Sequence, residues 1–219
     1  MRFRGPLVVL AVLGLGLAAG FAASRELEPE PVPVSEQRPV PAEGPSDPLG
    51  GTGAVLPDAP VPALPGDLIL ADERLRDGDK RVVVPVPVGW RRVDLRDGEA
   101  RWLPPGDTTG GGYSVRVAVI REDVTLREMV LARRDALPGD PNITDIQRLQ
   151  VDEGTSSLLA TIVRDGYRKL LLIRWINLRS DVFADVEIAW TGRLQDEAGM
   201  KQLLARMASE ARSLDPPEG

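Results

Sequence analysis

Eleven of the chain's 20 prolines lie between Pro29 and Pro65, and that density limits what the stretch can fold into. Proline lacks an amide hydrogen and fixes φ, so neither a helix nor a sheet ladder passes through such a run. Residues 25–66 include Glu28-Pro-Glu-Pro-Val-Pro-Val34, Pro39-Val-Pro-Ala42 and Pro57-Asp-Ala-Pro-Val-Pro-Ala-Leu-Pro65. We expect extended, polyproline-like backbone there, without long-range contacts. Fully extended at ~3.1 Å per residue, the stretch reaches about 130 Å. Seven acids against two arginines give it a charge of −5. It reads as a disordered, acidic spacer; the alternative is a docking segment for a proline-recognising module.

The spacer separates two unlike zones. Residues 1–24 hold Arg2 and Arg4 ahead of an unbroken run of 18 apolar or small residues, Pro6 to Ala23. At ~1.5 Å rise per residue that run measures roughly 27 Å, close to the ~30 Å of a hydrocarbon core. Two readings stay open. A signal peptide would be cleaved at the small-x-small patterns near Gly20-Phe-Ala22 or Ala22-Ala-Ser24. A signal anchor would keep residues 6–23 as a single membrane span. In both, Arg2 and Arg4 stay inside and everything after residue 24 is extracytoplasmic, membrane-anchored or secreted.

Absences narrow the chemistry. The chain has no cysteine and no histidine. That removes thiolate and Ser-His nucleophile systems, disulfide staples and the common zinc sites. A net charge of −6 leaves no basic excess for a nucleic-acid backbone. We expect no catalytic residue, no metal site and no cofactor.

Residues 67–214, followed by a short tail at 215–219, carry the folding pattern. Lys80–Val86 is a β-branched run interrupted by Pro85 and Pro87, which predicts an edge strand or one that stops there. Val88-Gly-Trp90 turns into a hairpin, Arg91–Leu95 and Glu99–Leu103, joined by Arg96-Asp-Gly98. A loose loop, Pro104–Gly112, precedes Tyr113–Ile120, where Tyr113, Val115, Val117 and Val119 alternate onto one face. Thr125 with Glu128 makes a capping box for a helix with a Leu126, Met129, Val130, Leu137 stripe, ended at Pro138-Gly139. Four strands then follow near 144–152, 156–164, 167–178 and 182–192. The third is apolar on both faces, as a central strand would be. A closing helix over 196–214 shows Met200, Leu203, Leu204, Met207, Ala211 and Leu214 on one face. Strands in runs with helices held to the middle and end predict an α+β fold, an antiparallel sheet packed with helices.

Few residue groups suggest chemistry. Gly110-Gly-Gly112 lacks a phosphate loop's Gly-Lys-Ser/Thr ending and leads into a strand. Asp181, Asp185 and Glu187 alternate against Val182, Ala184, Val186 and Ile188. They read as a solvated charge ladder, paired with Arg116, Arg164, Arg168 and Arg174 on neighbouring strands. Asp72, Asp77 and Asp79 precede the first expected strand without calcium-loop spacing. Trp90 and Trp190 read as core or rim. Trp102, at a strand end beside the loop and Tyr113, reads first as ordinary packing; if any surface contacts a ligand or partner, the rim it forms with Tyr113 is the first candidate.

Val86-Pro-Val-Gly-Trp90, Leu131-Ala-Arg-Arg-Asp-Ala-Leu-Pro-Gly139 and the closing amphipathic helix resemble the actinobacterial LpqN/LpqT lipoprotein family and the related proline-rich secreted antigen. The resemblance covers about residues 80–214, and its motifs are structural. It implies a PsbP-like α/β/α sandwich, non-enzymatic, with binding or adaptor roles at the cell envelope. The lipidation cysteine of that family is missing here, so the hydrophobic segment is the only tether. The resulting expectation is a non-catalytic extracytoplasmic domain that binds an envelope lipid or a protein. The alternative is a carboxylate-dependent envelope glycan hydrolase using Asp185 or Glu187 in a groove.

Overall fold

A computed structural model of the chain describes residues 55–58, 61–106, 112–179 and 181–214. The export segment, residues 25–54 of the spacer, the tail and Gly110-Gly111 lie outside the described residues.

The observed class is the expected one: two antiparallel sheets and two helices. In chain order the strands are β1 (Leu70–Asp77), β2 (Lys80–Pro87), β3 (Arg91–Arg96), β4 (Glu99–Leu103) and β5 (Ser114–Val119). Helix α1 (Leu126–Ala136) follows, then β6 (Ile143–Asp152), β7 (Ser157–Arg164), β8 (Tyr167–Ile176) and β9 (Val186–Gly192). Helix α2 (Glu197–Glu210) and the two-residue strand β10 (Arg212–Ser213) end the described chain. Seven strands make the main sheet in the order β3-β4-β5-β9-β8-β7-β6, and β1-β2-β10 make a second, small sheet.

Two turns show how local chemistry sets this order. Asp97-Gly98 joins β3 to β4 and Asp165-Gly166 joins β7 to β8, each with glycine in the left-handed region (φ +68° and +77°). At Gly98 a Cβ would also collide with the Asp77 side chain. Gly98→Ala should therefore cost about 1–2 kcal/mol, read as a lowered urea midpoint with unchanged slope. A wild-type midpoint would show that the turn tolerates a side chain. At the other short-range signal, Thr125 accepts the Glu128 amide while Glu128 accepts the Thr125 amide, which completes the capping box of α1.

The main sheet is buried on both faces, which explains the apolar β8. Leu170 and Leu172 point to a core shared with α2 (Met200, Leu203, Leu204, Met207) and the small sheet (Leu75, Val82, Val84, Val86). Leu171, Ile173 and Trp175 point the other way, to a second core under α1 with Val130 and Leu137. Alternate residues of one strand thus serve two cores.

Four expectations need correction. Strand β2 is the middle strand of its sheet, not an edge, although it does stop at Pro87, as the other alternative had it. Its even-numbered residues bond β1, so the nitrogens of Pro85 and Pro87 face the β10 side. Strand β10 reaches only Val82 and Val83, so neither proline removes a ladder bond. Secondly, Asp72 and Asp77 lie within β1 rather than before the first strand. Thirdly, the closing helix stops at Glu210, because Ala211 turns extended and residues 212–214 pair with β2. Leu214 therefore leaves the apolar face and is 45% exposed.

The fourth concerns the spacer. Its last residues are part of the domain rather than free of long-range contacts. Leu56 makes a parallel bridge to Tyr167, and Leu64 is buried to 4% exposure in the α2 core. We refer to residues 55–58 and 61–66 as the strap.

Candidate functional site

The carboxylates named for catalysis are where alternation put them, facing away from the α2 core, but they are not solvated. Asp185 and Glu187 are both buried. On this face Arg116 of β5 lies between Glu99 of β4 and Glu187 of β9. Its Nη1 donates to Glu99 Oε1 at 2.6 Å and its Nη2 donates to Glu187 Oε1. Trp175 Nε1 donates to Glu187 Oε2 at 2.9 Å, and Arg96 Nε to Glu99 Oε2 at 2.5 Å. Burial pushes the Glu99 carboxyl up, but the Arg116 and Arg96 guanidiniums outweigh it and hold the group below the usual carboxylate range.

Asp185 is tied in the same manner. The Leu178 amide donates to its Oδ2 at 2.7 Å and Arg179 Nε to its Oδ1 at 2.9 Å, with Lys80 Nζ 4.0 Å away. Asp181 is exposed and caps its own turn, accepting the Phe183 amide at 2.8 Å, which lowers its carboxyl. Of the four arginines expected to pair here, only Arg116 does. Arg168 and Arg174 share the parity of Leu170 and Leu172 and stand on the opposite face, and Arg164 pairs with Asp165. The ladder is a buried, neutralised network.

The aromatic contact surface also changes membership. Trp102 is 1% exposed, packed in the α2 core with the Arg92 guanidinium 5.6 Å from its ring, so solvent does not reach it. Tyr113 is half-buried and stacks on Trp90, with centroids 5.6 Å apart and planes inclined by 26°. Trp90 meets the fully buried Trp190 edge-on at 5.6 Å. The accessible aromatic pair is therefore Trp90–Tyr113, at the sheet end where β3 and β5 begin and β9 ends.

The strap reaches this end through Arg193, whose guanidinium lies 5.8 Å from the Tyr113 ring centroid. Arg193 and Asp196 are both buried, at 1% and 0% exposure. Asp196 Oδ2 accepts Arg193 Nε at 2.9 Å, and Oδ1 accepts Arg193 Nη2 at 2.8 Å and the Leu64 amide at 2.9 Å. Arg193 also donates to the carbonyls of Val61 (3.1 Å) and Pro62 (2.8 Å). Desolvating an ion pair is costly unless its remaining donors are satisfied; the strap's carbonyls do that here. Sequence reading missed the pair, although a salt-bridge spacing of three at a helix N-terminus was the available signal.

A separate cleft of about 470 Å³ opens on the small sheet, lined by Asp72, Glu73, Arg74, Val83, Arg92, Arg212 and Leu214. Most of its charges are paired: Arg212 with Asp72 at 2.5 Å and Arg92 with Glu73 at 3.0 Å. The Arg212 hydrogen bond holds Asp72 below its ordinary value. Asp77 pairs with Arg121 at 2.6 Å. Among the described residues no three metal-ligating side chains come together. The sequence matches no protein-family model and no curated protein.

Proposed function

We propose that the chain is a non-catalytic binding or adaptor domain at the actinobacterial cell envelope, carried outside the membrane on its proline-rich stalk. Its ligand is an envelope lipid or a protein partner. The observation that supports this reading is the state of the buried carboxylates. A glycan hydrolase needs one carboxyl free to give a proton and another free to attack or activate water. Asp185 and Glu187 have both oxygens engaged by backbone, indole or guanidinium donors. The surface left for contact is the exposed rim of the half-buried, stacked Trp90–Tyr113 pair, aromatic side chains of the type that anchor interfaces.

Native mass spectrometry of the complete exported form, made in an actinobacterial host and extracted gently, tests this. The expected spectrum carries a bound lipid mass or a partner protein, which Trp90→Ala with Tyr113→Ala removes while the fold is kept. An empty monomer that cleaves purified envelope glycan, and stops doing so as Glu187→Gln, would overturn the reading. The same spectrum reads whether residues 1–24 are retained.

A further inference from the structure

The strap is bound to the domain as a ligand would be. Its backbone is read by side chains that belong to the domain: Arg193 on the Val61 and Pro62 carbonyls, Asp196 on the Leu64 amide, and Gln195 Nε2 on the Val61 carbonyl at 3.0 Å. The Leu64 side chain enters the α2 core, and its carbonyl lies against Gly199, where a Cβ would overlap it. An extended segment with an aliphatic anchor, fixed by donors and acceptors on its main chain, is a peptide-recognition mode. None of these contacts depends on strap and seat belonging to one chain.

We infer that the seat also takes the strap of a second copy of this chain, so that two copies exchange residues 55–66. The exchange preserves every strap contact. It requires that the turn at Gly66-Asp67, between strap and β1, open, and that Arg206 Nη1, which donates to the Gly66 (3.3 Å) and Leu68 (2.9 Å) carbonyls on either side of it, take one of them from each chain. Next to that turn Ile69 is 76% exposed and Val88 55%, with the Val88 amide bonded to the Ile69 carbonyl at 2.9 Å. Among the described residues these two adjacent exposed aliphatics have nothing covering them. They sit where the two crossing segments of an exchanged pair run side by side. Exchange of an identical element is a low-cost route to a dimer. Its opponent is effective concentration: the attached strap competes at about 1 mM, so exchanged pairs form as the protein approaches that range.

The absence of cysteine supplies the test. Val61 is 49% exposed and Gln195 is also exposed. A full-length Val61→Cys chain and a full-length, mass-tagged Gln195→Cys chain are mixed at high concentration, incubated, then diluted and treated with a short bismaleimide. Exchange places the strap thiol of one chain beside the seat thiol of the other. The expected product is the mixed covalent dimer, several-fold above both like-with-like dimers and falling to their level when the mixture is kept dilute throughout. Equal yields of mixed and like-with-like dimers at high concentration would overturn the inference. Because neither substitution touches the Trp90–Tyr113 pair, the result is independent of the ligand-binding reading.

Discussion

An Arg116→Met chain should lose about 3–5 kcal/mol of stability at pH 7 and a much smaller part of that at pH 2. Methionine keeps much of the volume of the side chain but removes the guanidinium between Glu99 and Glu187, both of which are buried. Arg96 still reaches Glu99 from the solvent side, whereas Glu187 keeps only the Trp175 indole. Breaking a buried pair from one side costs more than the pair itself contributes, since a desolvated charge is left behind.

The pH dependence has a definite sign. In the wild type Glu99 is held below its unfolded value. Its contribution is therefore complete above the unfolded value of about 4.3 and is lost as pH falls through the lower folded one. The variant lacks most of that contribution at every pH. The gap between the two chains is then widest at neutral pH and closes in acid. Urea unfolding followed by tryptophan fluorescence at both pH values measures it. Equal losses at pH 7 and pH 2 would mean that the cost is one of packing rather than charge.

That network marks how far alternation can be read. The sequence places Asp185 and Glu187 on the face away from Val186 and Ile188, and the structure agrees. Alternation does not reveal whether a face is covered. Trp175 comes from β8, twelve residues before Glu187, and Arg116 from another strand; only the assembled sheet brings them to Glu187. Short-range signals fared better. The two Asp-Gly turns, the capping box and the doubly apolar β8 act within a few residues, so their physics is written in the local sequence. Strand β1 was invisible for the opposite reason: Leu-Ala-Asp-Glu-Arg-Leu-Arg-Asp has one fully buried residue, Leu75, and is a strand because β2 pairs with it. At Trp102 the packed reading holds: the neighbouring loop suggests a rim, but parity with the fully buried Ala100 carries the indole inward.

The boundary of the domain carries the second large expectation. A chain beginning at residue 67, where composition places the end of the spacer, should be about 3–6 kcal/mol less stable than one beginning at Leu49. Burying Leu64 contributes about 1.5–3 kcal/mol. The charged hydrogen bonds from Arg193 and Asp196 to the strap contribute about another 1.5–3 kcal/mol. Against a total of about 5–15 kcal/mol for a domain, that is a fifth or more of the whole, so the shorter chain unfolds at a clearly lower urea concentration. Proline density argued for a segment without contacts because proline forbids ladders. It does not forbid carbonyls from accepting a buried guanidinium, and that is how the strap is held. Leu64→Ala in the longer chain should reproduce the apolar share of the loss, while Arg193→Met should exceed the polar share, because it also leaves the buried Asp196 carboxylate without its guanidinium; urea midpoints on one slope read both. If the chain from residue 67 instead proves as stable as the chain from Leu49, the strap rests on the domain without stabilising it. An exchange of straps between copies would then have no free energy behind it.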